Sequence, residues 1–89
     1  MRLRYAKSFE KDIEDVRHNA EIRRRLAAVI QNLKTIGSFR ELQGIRKIEG
    51  YENYYRLRVG DYRLGIKLVD DVIELIRLLH RKEIYRRFP

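Results

Sequence analysis

The sequence contains no cysteine, which excludes a disulfide framework and thiolate metal sites, and with them the usual devices of small secreted domains. No apolar run approaches the ~18 residues needed to cross a bilayer, and the opening stretch MRLRYAKSFEKD has no signal-peptide core. A cytoplasmic location without membrane attachment is the expectation. Of histidines there are only two, His18 and His80, too far apart in sequence to suggest a metal motif, so no metal or other cofactor is expected. Repeats, linkers and low-complexity segments are also missing. A chain of 89 residues then makes a single domain over 1–89, with room for one core and no deep substrate cavity.

Positive charge is what the sequence has in excess. Lysine and arginine number 21 against 13 acidic residues, for a net charge of +8, so the natural partner is acidic: nucleic acid, an anionic surface or an acidic protein. At 44% hydrophobic and 38% charged residues the chain is foldable, with most charges left on the surface.

Much of that charge falls in Tyr54 to Leu68, YYRLRVGDYRLGIKL, where two alternating runs meet at Gly60-Asp61. A two-residue Gly-Asp connection is a hairpin signal, because glycine accepts the positive φ of a type II′ turn. The turn predicts Val59 opposite Tyr62, Arg58 opposite Arg63, Leu57 opposite Leu64, Arg56 opposite Gly65 and Tyr54 opposite Lys67. Side chains alternate with period two. Tyr55, Leu57, Val59, Tyr62, Leu64 and Ile66 therefore form an apolar face, and Arg56, Arg58, Arg63 and Lys67 share the other with Gly65 and Tyr54. Like charges directly opposite on a sheet are destabilising, so Arg58 against Arg63 points to an anionic ligand.

Upstream, Met1 to Ala6 reads as a short strand, and Lys7 to Arg17 as an amphipathic helix with Phe9, Ile13 and Val16 inward and Ser8 as cap. Asn19 can cap a second helix over Ala20 to Ile36, with Ile22, Leu26, Val29, Ile30 and Leu33 on one stripe and Gly37 closing it as a left-handed C′ residue. So short a link makes the two helices an antiparallel hairpin, whose obvious partner is the sheet's apolar face. Arg23, Arg24 and Arg25 leave the stripe; such runs are mostly solvated helix faces, and Arg23 and Arg24 stand as candidate nucleic-acid contacts alongside Lys67 and Tyr54. Ser38 to Asn53 reads as a loop with a brief extended piece around Ile45 to Ile48.

Asp70-Asp71 offers a second tight turn into a strand from Val72 to His80. With two residues in that turn, Lys67 faces Glu74, Gly65 faces Ile76, Arg63 faces Leu78 and Asp61 faces His80, which puts His80 on the basic face and Arg77 on the apolar one. A one-residue slip would reverse both assignments. Arg81 to Pro89 has Ile84, Tyr85 and Phe88 at helical spacing. The order is strand, two helices, three-stranded antiparallel meander packed on the helices, short C-terminal helix, an α+β domain.

Leu42-Gln43-Gly44, the run from Tyr55 to Arg63 (YRLRVGDYR) and the run from His80 to Tyr85 (HRKEIY) resemble the RelE branch of the RelE/ParE toxin superfamily. The element order and length match across essentially the whole chain. The resemblance implies a type II toxin that enters the ribosomal A site and cuts mRNA, with the RNA's own 2′-hydroxyl as nucleophile. It also implies a cognate antitoxin and a toxin–antitoxin hetero-oligomer. The family's basic positions fall on Arg56, Arg58 and Arg63, and its terminal pair on Arg81 and Tyr85. Here arginines stand at Arg56 and Arg58, where the best-studied pattern carries lysine at one or both positions.

In-line attack on a phosphodiester builds charge on the nonbridging oxygens, which fixed guanidinium donors stabilise. Arginine stays protonated and cannot readily act as base. That leaves His80 as the best acid/base candidate, and Tyr85 as a second if the cationic cluster lowers its pKa, or otherwise as a stacking or orienting group. If His80 turns to the core, weak or wholly ribosome-assisted chemistry is expected. Two other readings stay open: the ParE branch, a gyrase-binding toxin of the same fold without nuclease chemistry, and a non-catalytic RNA-binding protein.

Overall fold

Gly60 takes φ +59° while Asp61 stays at negative φ, and the hairpin it closes, β3 (Tyr54–Val59) and β4 (Tyr62–Val69), has the register that the two-residue turn dictates. Val59 pairs with Tyr62, Arg58 with Arg63, Leu57 with Leu64, Arg56 with Gly65 and Tyr54 with Lys67. The computed structural model describes residues 1–89. It adds β1 (Arg2–Tyr5), α1 (Lys7–Asp15), α2 (Ala20–Thr35), β2 (Ile45–Lys47), β5 (Val72–His80) and α3 (Arg81–Arg87), with a short 3-10 turn at Phe39–Glu41.

The five strands form one sheet in the order β1-β5-β4-β3-β2. β1 runs parallel to β5 and every other pairing is antiparallel. The meander of three strands is thus extended at both edges, by β1 on one side and by β2, the brief extended piece of the loop, on the other. One face carries α1 and α2 over a core that includes Phe9, Leu26, Leu33, Leu57, Leu64, Ile66, Ile73 and Leu75. The opposite face carries α3 over a smaller cluster of Ile48, Leu79, Ile84 and Phe88.

Of three local expectations, one holds and two change. Asn19 caps α2 by accepting the Ile22 N–H at 3.1 Å. Ser8, however, does not cap α1, which has no side-chain cap; its hydroxyl donates to the Ile76 carbonyl at 2.6 Å. Nor does Gly37 end α2 as a left-handed residue. The helix ends on extended Ile36, at φ −72° and ψ 151°, and the Gly37 N–H donates to Glu41 Oε2.

The largest change is in β5. From the Asp70-Asp71 turn, where Asp70 adopts φ +56°, the two-residue register holds from Val69–Val72 through Lys67–Glu74 to Ile66–Leu75. Gly65 then pairs with Arg77 rather than Ile76. Ile76 is the extra residue of a β-bulge, and beyond it each partner is displaced by one: Leu64 with Leu78, Arg63 with Leu79 and Tyr62 with His80. The expected pairs of Arg63 with Leu78 and Asp61 with His80 do not form, and His80 joins the Tyr62 side of the sheet rather than the basic face.

The bulge has an identifiable cause. Ser8 and Asp12 lie one turn apart on α1 and therefore share a face. Ser8 bonds the Ile76 carbonyl, while buried Asp12 accepts Arg77 Nε at 2.8 Å, Arg77 Nη2 at 3.0 Å and the Leu78 N–H at 2.9 Å. These bonds replace what the bulge removes from the ladder, as burial requires. The hydrogen bond to Asp12 raises the Arg77 pKa above the ordinary arginine value, against the smaller opposing effect of burial. A raised pKa means that Arg77's contribution is complete below its unfolded value and is lost only far into base, so Arg77 introduces no pH dependence near neutrality.

Breaking a buried pair leaves an uncompensated charge, so Asp12→Ala is expected to lower the unfolding free energy by ~3–5 kcal/mol. Asp12→Asn, whose amide oxygen can still accept the Leu78 N–H, should lose less; urea denaturation curves of the three proteins check the order.

Candidate functional site

Strand pairing gathers the arginines. Arg58 stands opposite Arg63, Arg56 opposite Gly65, and β2 adds Arg46 opposite Arg56. Together with Gly44 and Tyr85 the four arginines line a groove of about 450 Å³ on the α3 side of the sheet. Ion pairs in the protein involve Arg4, Arg17, Arg25, Arg77 and Arg86, and none involves the four groove arginines. With no carboxylate lining it, the groove is a concentrated positive field of the kind that draws and holds a phosphate chain.

Each wall has a local reason. Arg63 is held by its own turn, with Nη1 donating to the Gly60 and Tyr62 carbonyls at 3.0 and 2.9 Å, so part of its side-chain entropy is already lost before a ligand arrives. Gly44 sits at φ +75°, its carbonyl accepts the Arg58 N–H at 3.0 Å, and a Cβ there would come within 3.3 Å of Arg58 Cβ. The Leu42-Gln43-Gly44 stretch thereby lies across the Arg58 end of the groove.

α3 supplies the remaining wall. His80 caps it, Nδ1 accepting the Lys82 N–H at 3.2 Å, and the Phe88 ring lies on Gly65 so closely that a Cβ would meet ring carbons at 2.7 to 2.8 Å. That contact requires a glycine. Docked this way, α3 presents Tyr85, 65% exposed, to the arginines, and the Arg56 guanidinium stacks over its ring with 4.4 Å to the centroid. Such cation–π contacts orient both groups.

Of the residues singled out from sequence, Arg56, Arg58, Arg63 and Tyr85 therefore meet in one groove. Lys67 and Tyr54 lie on the same face of the sheet but outside the groove lining, the ammonium 5.2 Å from the ring centroid, with Tyr54 also against Phe88 and Tyr51. Arg81 is exposed at the start of α3, its N–H bonded to the Asp61 carbonyl at 2.8 Å. Arg23 and Arg24 are exposed on α2 and line neither groove.

His80 lies elsewhere, against Tyr62 with ring centroids 5.5 Å apart, in a second groove formed with the start of α2 and the β3–β4 turn. Arg46 was not among the sequence candidates, because its segment read as a loop. The available signal was Ile45 followed by two basic residues and a glycine-bearing return to β3, in which Gly50 and Asn53 both adopt positive φ.

Fold and groove define a small cationic α+β domain with an arginine-lined groove on one face of its sheet. The model of the ParE toxin of type II toxin–antitoxin systems matches residues 3–85, and the chain belongs to this toxin family within the RelE/ParE superfamily. Within it, the chain is 44% identical to Toxin RelE3 of Methanocaldococcus jannaschii over 90 residues, covering the full length of both. The toxin fold of the RelB-RelE antitoxin-toxin complex from Methanococcus jannaschii superposes with a TM-score of 0.79 at 43% identity, covering 97% of this chain and 99% of that one. The YafQ structure from E. coli, at 16% identity, shares the fold with a TM-score of 0.75 over 96% of this chain and 99% of its own. The resemblance to the RelE branch is borne out.

Gly65→Ala tests the seating of α3. Overpacking a filled site costs ~1–3 kcal/mol, and the displaced Phe88 should carry Tyr85 away from Arg56. A fall in melting temperature together with loss of the Tyr85–Arg56 nuclear Overhauser contacts is the expected result.

Proposed function

We propose that the protein is a ribosome-dependent endoribonuclease that cleaves mRNA in the A site. The observation that carries the proposal is the groove of four arginines without carboxylate partners, walled by Tyr85. The 2′-oxygen bonds to the adjacent phosphorus and gives its proton to solvent. The P–O5′ bond breaks, and O5′ takes a proton from solvent to leave as a 5′-hydroxyl. A 2′,3′-cyclic phosphate remains, and negative charge builds on the nonbridging oxygens along the way. Arg63, held by the turn carbonyls, and Arg56 and Arg58 beside it donate to those oxygens; donors already in place lower the barrier most. Arg46 extends the same phosphate track, and Arg81, exposed and free of ion pairs, meets the backbone beyond it. Tyr85, stacked on Arg56, orients the scissile nucleotide.

No histidine or carboxylate lines the groove. This supports the ribosome's part in the reaction, since the groove offers charge stabilisation and positioning but no imidazole beside the 2′-hydroxyl. Cleavage then takes place in the cytoplasm, where ribosomes and mRNA meet. A cognate antitoxin is the second partner, as the RelB-RelE complex and the DinJ-YafQ complex from E. coli suggest for this family. A net charge of +8 favours an antitoxin whose acidic groups meet the groove.

Primer extension on a defined mRNA in a reconstituted translation system tests the proposal. New 5′ ends at A-site codons are expected with ribosomes and not without, and Arg63→Ala should lower the single-turnover rate by ~10²–10³-fold. Tyr85→Ala should lose more than Tyr85→Phe, which keeps the stack on Arg56; equal losses would make the hydroxyl a proton carrier. Intact mRNA from a chain that still arrests growth would overturn the nuclease and favour a gyrase-directed toxin.

A further inference from the structure

The second groove has about 810 Å³ between the start of α2 and the β3–β4 turn, within the range of small-molecule sites. It is lined mainly by polar groups, among them Gln43, Asp61, Tyr62 and His80, and it shares Gly44 and Arg58 with the arginine groove. The two are therefore consecutive stations along one path, with Arg58 at the junction.

Those polar groups are not occupied within the fold. No intramolecular hydrogen bond takes the side chain of Gln43, Asp61 or Tyr62, and His80 uses only Nδ1, to cap α3. The other charged groups facing the space are Glu21 and Arg25, which satisfy each other at 3.1 Å. The lining thus offers an amide, a carboxylate, a hydroxyl and one imidazole nitrogen beside two aromatic rings set edge to face. Splayed-out RNA bases are read by this combination, stacking on an aromatic ring and hydrogen bonding on their edges.

We infer that this groove is a nucleotide subsite, which takes the nucleotide next to the phosphate held in the arginine groove and makes cleavage selective for its base. The inference rests on the proposed RNA substrate. Tyr62 stacks on the base, His80, Gln43 and Asp61 meet its edge, and Arg58 holds the phosphate that joins it to the scissile nucleotide. His80 is then a specificity and positioning residue. The bulge at Ile76 is what delivers it there, since the unshifted register would have turned it to the basic face.

Two arms test this. In the binding arm, a trinucleotide with 2′-deoxyribose throughout, which cannot be cleaved by 2′-hydroxyl attack, is titrated into the isotope-labelled protein. Amide shifts at Gln43, Asp61 and Tyr62 are expected, with affinity lowered about tenfold in Tyr62→Leu through loss of stacking and lowered also in Arg58→Ala. In the cleavage arm, 5′ ends are sequenced across a mixed mRNA pool. Gln43→Ala and His80→Asn, the latter keeping a cap acceptor for the Lys82 N–H, should redistribute cleavage among codons while the pH profile of the single-turnover rate keeps its shape.

Shifts confined to the arginine groove, or an unchanged codon distribution in both variants, would overturn the subsite. A pH profile that loses a limb in His80→Asn would overturn it in favour of His80 as proton carrier. Failure of the wild type to cut any mRNA overturns the nuclease alone, because the binding arm reads the subsite without cleavage.

Discussion

Two side chains on one face of α1 set the geometry of the last third of the molecule. Ser8 and Asp12 hold the Ile76 carbonyl, the Arg77 guanidinium and the Leu78 N–H where the β4–β5 ladder is interrupted, and so fix which residues beyond the bulge face which way. Leu79 goes to the α3 side, where it packs with Ile84 and Phe88, and His80 goes to the Tyr62 side. Without this clamp the phase of the strand, the seat of α3 and the position of Tyr85 would be undetermined. A bulge is an unstable place to leave backbone groups unless another element satisfies them, and α1 does so with one hydroxyl and one carboxylate.

The arginine groove is built on the part of the sheet that this clamp leaves regular. Three strands contribute arginines at cross-strand positions, and Gly65 supplies the missing side chain that lets Phe88 bring α3 down beside them. The helices α1 and α2 take no part in the groove itself. They cover the opposite face, where Leu57, Leu64 and Ile66 from the same two strands anchor the hairpin to the core. Alternation along β3 and β4 thus divides the work within each strand, one residue holding the fold and the next facing the groove.

The hairpin register was legible because its determinants are local: a glycine able to take positive φ, two residues in the turn, and strict alternation on either side. The same is true of α2, whose asparagine cap and apolar stripe lie within its own sequence. β5 was legible only as far as Leu75, because the residues that shift it, Ser8 and Asp12, are more than sixty positions away in the chain, and Ser8 read as an N-cap. The groove was visible as Arg56, Arg58 and Arg63, but Arg46 was hidden in a three-residue edge strand whose pairing with β3 is a tertiary event. His80 was visible as chemistry and misplaced as geometry.

Four guanidiniums without counter-charges also make the free protein a strained reference state. Their mutual repulsion is part of the native free energy, and whatever anion enters the groove relieves it in the folded chain but not in the unfolded one. A ligand present at a hundred times its dissociation constant adds ~2.7 kcal/mol to the stability of such a system. The melting point of this protein is therefore a joint property of the chain and its ionic company, since an anion bound only by the folded groove adds its binding free energy to the stability.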